Sequence, residues 1–196
     1  TLADVVRQWQ GLGYNRRAKM LHEAAKLIVR DGTPRDMPGL MALPGIGANT
    51  AAAIMNYAYN VPVAFVETNI RTVYFYHFFA NQSEVSDKEL RAVVERTMPH
   101  ENSREWFWAL MDYGVYLKAQ GAGGLTKSRH YRKQSRFHGS VRQARGRIVA
   151  MLLEGSADIE QLRGAIGSDE LVELALQGLQ RDGLVGVTLG RYHLTK

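Results

Sequence analysis

The sequence predicts a mainly α-helical protein with a small β-hairpin near its end. Apolar residues recur at helical spacing through most of residues 1–118, helix-capping patterns open several of these stretches, and strict alternation is confined to residues 184–194. Segment 16–30 is typical, with apolar side chains along one helical face. That face consists of Met20, Leu21, Ala24, Leu27 and Ile28.

The helices of the first part follow from these signals in order. Thr33-Pro34 is a typical helix start, with Thr as cap and Pro at the first helical position. Ser86-Asp87-Lys88-Glu89 is a capping box. The predicted helices are 1–10, 16–30, 48–59, 67–79, 86–98 and 102–118. The stripe that we expect to face inward in the last of them is Trp106, Leu110, Tyr113 and Leu117.

A glycine hairpin, Pro44-Gly45-Ile46-Gly47, precedes the helix at 48–59. Gly45 and Gly47 can take positive φ and carry no side chain, so a phosphate oxygen can approach the bare amides at the start of the next helix. Ile46 is expected to point into the protein. An ordinary joint between two helices explains the hairpin equally well when it is considered alone.

A carboxylate, Glu67, follows the hairpin by about twenty residues and opens the helix at 67–79. A phosphate anchor with a carboxylate at short range is the arrangement needed to act on a nucleotide held by its backbone. The alternative is that Glu67 only caps its helix.

Four segments in the right order resemble the helix–hairpin–helix DNA glycosylase superfamily, which contains endonuclease III and the adenine DNA glycosylases. They are WQGLGYNRRA at 9–18, LPGIGANTAAAI at 43–54, ETNIRTV at 67–73 and WALMDYG at 108–114. The similarity covers roughly residues 1–118. It implies the family's helical domain there and favours helix at 67–79, where propensity is mixed.

The resemblance implies base excision with Glu67 as the carboxylate that stabilises positive charge on the deoxyribose. The family usually has Asp at this position, and Glu is one methylene longer. Asn49 stands where endonuclease III-like enzymes carry the Lys that attacks the sugar, so we expect a glycosylase without lyase activity. Adenine glycosylases also lack Lys here, which favours adenine opposite 8-oxoguanine or guanine as the target; a thymine or uracil mismatch glycosylase is the runner-up within the family.

Basic residues at 119–138 form either a solvated linker or a strap that tracks the DNA backbone. Tyr14 is expected near the opened duplex, although a buried packing role is equally compatible with the sequence. The residues expected to contact DNA are Tyr14, Arg16, Leu43, Gly45, Ile46, Gly47, Asn49, Thr50, Lys127, Arg129, Arg132 and Lys133.

Composition agrees with a nucleic-acid partner but does not single it out. The formal net charge of +6 favours a polyanion, although ribosomal and membrane-surface proteins are also basic. The chain has no cysteine, which excludes disulfides and the cysteine-bound iron–sulfur cluster of many relatives. The six histidines show no metal-ligand spacing, so we expect no catalytic metal. Binding of a monovalent cation at the glycine hairpin is compatible with the sequence. No apolar run is long enough to span a membrane.

The tail has a pattern of its own. Helices predicted at 141–153, 159–166 and 169–182 precede alternating residues that turn at Gly190, which resembles a winged-helix module. The third helix carries acidic residues that would repel phosphate, namely Glu170, Glu173 and Asp182. A role of the tail in packing is therefore as compatible with the sequence as a role in DNA contact. The predicted domains are a glycosylase-like domain at 1–118, a basic linker at 119–138 and a winged-helix-like domain at 139–196.

One family feature has no counterpart here. Adenine glycosylases hold a second acid, a Glu that protonates the leaving base, upstream of anything that matches this chain. Since the chain also begins with Thr1, we expect a fragment that lacks the N-terminal region. The alternative is a non-catalytic DNA-binding protein. We expect a monomer in the cytoplasm, associated with the nucleoid in a bacterium or archaeon.

Overall fold

The computed structural model describes residues 1–122, 124–129 and 136–195, and they form a mainly helical protein as predicted. The elements along the chain are α1 (Leu2–Gln8), α2 (Arg16–Asp31), α3 (Met37–Met41), α4 (Ala48–Tyr59), α5 (Thr68–His77), α6 (Asp87–Thr97), α7 (Ser103–Ala119), a 3-10 turn (Leu125–Lys127), α8 (Val141–Glu154), α9 (Ile159–Ile166), α10 (Asp169–Arg181), β1 (Val185–Thr188) and β2 (Arg191–Leu194). In the described ranges no helix has the length and apolar character to cross a bilayer.

Contacts divide the chain into two compact units. The central unit is the described part of residues 33–133, and the terminal unit combines residues 1–32 with the described part of residues 134–196. Residues 1–32 thus group with the tail, in contrast to the predicted domain at 1–118. The reason is packing: Leu2 and Val6 of α1 are buried in the same apolar cluster as Ile148 of α8 and Leu176 of α10.

The β-hairpin near the end of the chain is confirmed. β1 and β2 pair antiparallel, with Val185 opposite Leu194 and Thr188 opposite Arg191. The two-residue turn between the strands has positive φ at both positions, +49° at Leu189 and +74° at Gly190. Turns of this kind match the right-handed twist of paired strands.

The helix that precedes the glycine hairpin at 44–47 begins later than predicted. α3 opens at Met37 with Asp36 as its cap, and Thr33-Pro34 precedes it. The Asp36 carboxylate accepts a hydrogen bond from the Gly39 amide at 2.7 Å, and a Pro follows within the first turn. Asp is a better cap than Thr, which accounts for the start at Met37 in place of the predicted start at Thr33-Pro34.

The predicted inward stripe of α7 is confirmed at Leu110 and Leu117, which are buried, and wrong at Trp106 and Tyr113. The side chains of Trp106 and Tyr113 are each 36% exposed. They line an apolar cavity of about 360 Å³ together with Tyr74 of α5 and Phe78, which directly follows α5. The buried residues of α7 are Ser103, Phe107, Leu110, Gly114 and Leu117. Because two of these are small, α7 approaches α5 along this line more closely than two large rings would allow.

Candidate active site

The glycine hairpin leaves the start of α4 open. Gly45 takes φ of +78° as predicted, whereas Gly47 is extended at φ −91° and forms the cap of α4 without any side-chain hydrogen bond to that helix end. The prediction of positive φ was therefore right for Gly45 and wrong for Gly47. Ile46 points inward as expected, against a small cluster. Its members are Leu40, Ala51 and Met55.

Backbone amides of the hairpin are available to an external group. The Ile46 amide donates to the Leu43 carbonyl at 3.1 Å, but those of Gly45 and Gly47 have no hydrogen-bond acceptor in the described part of the chain. A Cβ built on Gly47 would meet no heavy atom within 4 Å. Neither the backbone nor packing requires glycine at 47, so its absent side chain leaves room for an anion at the start of α4, beside the exposed Thr50.

Glu67 is the cap of α5. Its Oε1 atom accepts hydrogen bonds from the amides of Asn69, at 2.5 Å, and Ile70, at 2.8 Å. The extra methylene relative to Asp is therefore compatible with capping. The side chain is half-buried, and the capping contact uses one carboxylate oxygen. The amides hold the carboxylate in a fixed position, which a charge-stabilising role also requires.

Asn49, in the first turn of α4, is hydrogen-bonded to the residue before the cap of α5. Its Nδ2 atom donates to the Val66 carbonyl at 2.8 Å, and Val66 directly precedes Glu67. The first turn of α4 and the cap of α5 are consequently one side chain apart. The segment that holds the predicted phosphate anchor is thus linked to the segment that holds the predicted carboxylate, although about twenty residues separate them in the sequence.

Two further polar groups near Glu67 were not anticipated. The Tyr57 hydroxyl is buried and has no hydrogen-bond partner among the described residues, and its ring stacks on Trp108 at 6.4 Å. Burial first, and then the Glu67 charge, raise the pKa of Tyr57, which keeps the phenol neutral. Asn69 Oδ1 is likewise buried without a partner there. The sequence offers no signal for Tyr57, since a Tyr on an apolar helix face is typical of a core.

Gly114 sets the distance between α7 and the start of α5. A Cβ on Gly114 would lie 2.5 Å from the Asn69 carbonyl oxygen and 2.6 Å from the Asn69 Cβ. We expect Gly114→Ala to lower the free energy of unfolding by about 1–3 kcal/mol, because the atoms in the way belong to or adjoin backbone. Urea unfolding measures this. Gly164→Ala, on α9 in open space, is the control and should be neutral or stabilising; equal losses in both variants would contradict the packing argument.

Two basic residues of segment 119–138 bond to partners in the central unit. Lys127 Nζ donates to the carbonyls of Phe79 at 3.0 Å and Ala80 at 2.6 Å. Arg129 forms an ion pair with Glu84 at 2.9 Å. The predicted DNA contacts of these two residues stay predictions. Those of Arg132 and Lys133 lie outside the described residues.

Tyr14 belongs to a strained, exposed loop of the terminal unit. Its φ is +49°, it follows Gly13 at φ +68°, and it is 56% exposed, so the buried packing role is wrong. The Arg17 guanidinium lies 5.2 Å from the centre of the Tyr14 ring. Arg16 is exposed, with its Nε 4.0 Å from an Asp182 oxygen. The loop lines a cavity of about 790 Å³ in this unit, together with Phe137, Arg142 and Arg145.

In the described ranges no group of three or more His, Asp or Glu side chains is arranged to hold a metal ion. The expectation of no catalytic metal stays a prediction.

The chain is similar to known proteins in sequence and in fold. The chain is 34% identical over 98% of its length to an adenine DNA glycosylase of Mycolicibacterium smegmatis, of which the match spans 73%. It is 33% identical to an adenine DNA glycosylase of Mycobacterium tuberculosis, with 98% of this chain and 72% of that protein covered. A solved thermostable thymine-DNA glycosylase matches at a TM-score of 0.52 and 26% identity, over 65% of this chain and 60% of its own. No family model matches the chain.

Proposed function

The chain belongs to the helix–hairpin–helix DNA glycosylase superfamily, and on that premise we propose that it removes adenine from opposite 8-oxoguanine or guanine without cutting the strand. It is a base-excision DNA glycosylase, hence a hydrolase. Adenine as the target is supported by the two mycobacterial relatives at 33–34% identity, both of which are adenine DNA glycosylases.

The observation that carries the proposal is the Asn49–Val66 hydrogen bond, which links the first turn of α4 to the residue before Glu67. The amides of Gly45 and Gly47 bind a phosphate of the target strand. The target base leaves the stack, and the carboxylate of Glu67 lies beside the sugar. As the bond from the base nitrogen to C1′ breaks, its electron pair leaves with the base, and Glu67 stabilises the positive charge on the sugar. Water adds its oxygen to C1′ and gives up a proton, and the base nitrogen gains one, so the products are the free base and the sugar hydroxyl.

The absence of lyase activity is part of the same proposal. Asn49 carries an amide in place of an amine, so it cannot form a Schiff base with the sugar. Both ends of this amide are also engaged: Nδ2 by the Val66 carbonyl and Oδ1 by the Arg91 guanidinium. Asn49 serves the site by joining α4 to the segment before Glu67.

We propose that the terminal unit adds DNA affinity through the side that carries Tyr14. Among the described residues that line the cavity in this unit, four are arginines and one, Asp182, is a carboxylate. Asp182 forms an ion pair with Arg145 at 2.5 Å, so its charge is offset and does not repel a phosphate as the sequence suggested. The order of α8, α9, α10 and the hairpin supports a winged-helix-like tail.

We propose that no iron–sulfur cluster takes part, because a chain without cysteine offers no thiolate ligands for one. We also propose that the glycine hairpin binds a monovalent cation, which a binding experiment tests. We propose that the protein is a monomer, which sedimentation tests, and that it acts in the cytoplasm.

The test is base release under single-turnover conditions, with excess protein and matched duplexes. We expect release of adenine opposite 8-oxoguanine, strand breakage only after alkali, and no borohydride-trapped adduct. Release of thymine or uracil from mismatches would favour the runner-up, which has the thymine-DNA glycosylase fold match in its favour. Tight binding of every duplex without release of any base would identify a non-catalytic DNA-binding protein.

A further inference from the structure

The guanidinium of Arg91 forms a clamp on the segment that leads to Glu67. Arg91 lies on α6 and is half-buried. Its Nη1 atom donates to the Ala64 carbonyl at 2.9 Å, and its Nη2 atom donates to Asn49 Oδ1 at 2.9 Å. One planar side chain therefore contacts both the first turn of α4 and the extended residues before α5. We call Arg91, Asn49 and their two carbonyl partners the Arg91 clamp.

The hydrogen bonds of the clamp fix the orientation of the Asn49 amide. A guanidinium offers only donors, so the Asn49 atom that faces it must be Oδ1. A carbonyl offers only an acceptor, so the atom that faces Val66 must be Nδ2. Rotating the amide by 180° would break both contacts. Arg91 thus decides how Asn49 holds Val66, and Val66 is the residue before Glu67.

We propose that Arg91 is a positioning residue for base excision, an inference that rests on the proposed function above. It acts through Asn49 and the carbonyls at 64 and 66, and holds the Glu67 carboxylate at a set distance from the phosphate bound at the start of α4. Misplacement of a reacting group by about 1 Å can cost about a hundredfold in rate. The hydrogen bonds of Arg91 go to Ala64 and Asn49 and not to Glu67, so we assign its effect to the geometry of the segment before Glu67.

A lysine at this position would not replace the clamp. The two acceptors of Arg91 lie on different segments, and the planar guanidinium reaches both with separate N–H groups. An ammonium donates all of its hydrogen bonds from one nitrogen, so it cannot reproduce the two separate positions from which Nη1 reaches Ala64 and Nη2 reaches Asn49. Arg91→Lys therefore keeps the charge while it removes the two-pronged contact, and Arg91→Met removes both.

The experiment compares Arg91→Met and Arg91→Lys with Arg96→Met. Arg96 lies on the same helix, and its guanidinium bonds only the Ala92 carbonyl of that helix, at 3.3 Å, in the described part of the chain. We expect Arg91→Met to lower the single-turnover rate of base release by about tenfold to a hundredfold. We expect the Kd for the duplex to change less than about threefold, and Arg91→Lys to recover only part of the rate. Arg96→Met should match the wild type.

Asn49→Leu and the double variant test the connection through Asn49. Because the two residues act as a unit, the double variant should be no slower than the slower single variant. Losses that multiply would overturn the proposal. So would an unchanged rate with a raised Kd, which would make Arg91 a phosphate contact. Should Arg91→Met not fold, Arg91→Lys and Asn49→Leu decide on the same criteria.

A second readout separates this inference from the proposed function. The NMR resonances of the backbone and side-chain amides of Asn49 and Asn69 show whether the Arg91 clamp is formed in the absence of DNA. Arg91→Met should shift them and Arg96→Met should not, even if the wild-type protein released no base from any duplex. Unshifted resonances in both variants would overturn the clamp, whatever the activity of the wild type.

Discussion

Replacing Glu67 with Gln is expected to slow base release by at least about a hundredfold and to leave DNA affinity within a few-fold of the wild type. The glutamine keeps an oxygen that can accept from the amides of Asn69 and Ile70, so the cap of α5 survives. What disappears is the negative charge beside the sugar. Single-turnover rates at saturating protein, with the Kd measured separately, distinguish the two effects.

Asp36→Asn is the matched control for this substitution. Asp36 is also a carboxylate that caps a helix of the central unit, through the Gly39 amide. The same loss of charge at this cap should leave the excision rate unchanged. If Glu67→Gln excised adenine at the wild-type rate, Glu67 would be only a cap, as the simplest interpretation of its position holds.

The parts of the site that could be predicted from the sequence depend on local physics. Gly45 has its positive φ, Ile46 packs inward, and Glu67 opens a helix. Each of these follows from the residue and its near neighbours, because glycine conformation, capping and helical periodicity act over a few residues. The β-hairpin at the end was predictable for the same reason.

The contacts that assemble the site could not be predicted in this way. Arg91 and Asn49 are 42 residues apart, and a polar residue on a helix looks the same in sequence whether it faces solvent or a buried carbonyl. Gly114 is another case, since a glycine within a helix does not show which backbone passes beside it. Long-range packing of this kind follows from the whole fold.

Two errors have equally definite causes. Residues 1–32 were expected in the first domain, but periodicity identifies the apolar face of a helix and not its partner, and the apolar faces of α1 and α8 meet in the terminal unit. The stripe on α7 was right at Leu110 and Leu117 and wrong at Trp106 and Tyr113, because large apolar residues lie on more than one face of this helix. Gly114 lies on the face that approaches α5 at Asn69.

Substituting Gly47 with Asp is expected to weaken binding to every duplex by about tenfold to a hundredfold, independently of the lesion. A charge-assisted hydrogen bond contributes about 1.5–3 kcal/mol, and the new carboxylate would replace that contact with repulsion of the same phosphate. Since a Cβ at Gly47 meets no protein atom within 4 Å and φ is −91°, the fold should tolerate the change. Fluorescence anisotropy with intact, mismatched and 8-oxoguanine duplexes measures the Kd values.

The salt dependence of binding distinguishes loss of a phosphate contact from general repulsion. Because a backbone amide carries no net charge and releases no counterion, loss of its contact alone should leave the slope of log Kd against log salt nearly unchanged, whereas repulsion by the new carboxylate should reduce the slope by up to about one unit. Gly164→Asp adds the same charge in equally open space on α9, and it should leave the affinity nearly unchanged. Gly47→Ala, which adds bulk without charge, should fall between the wild type and Gly47→Asp. A loss confined to one lesion would mean that the hairpin reads the base, and a phosphate anchor at Gly47 would then be wrong.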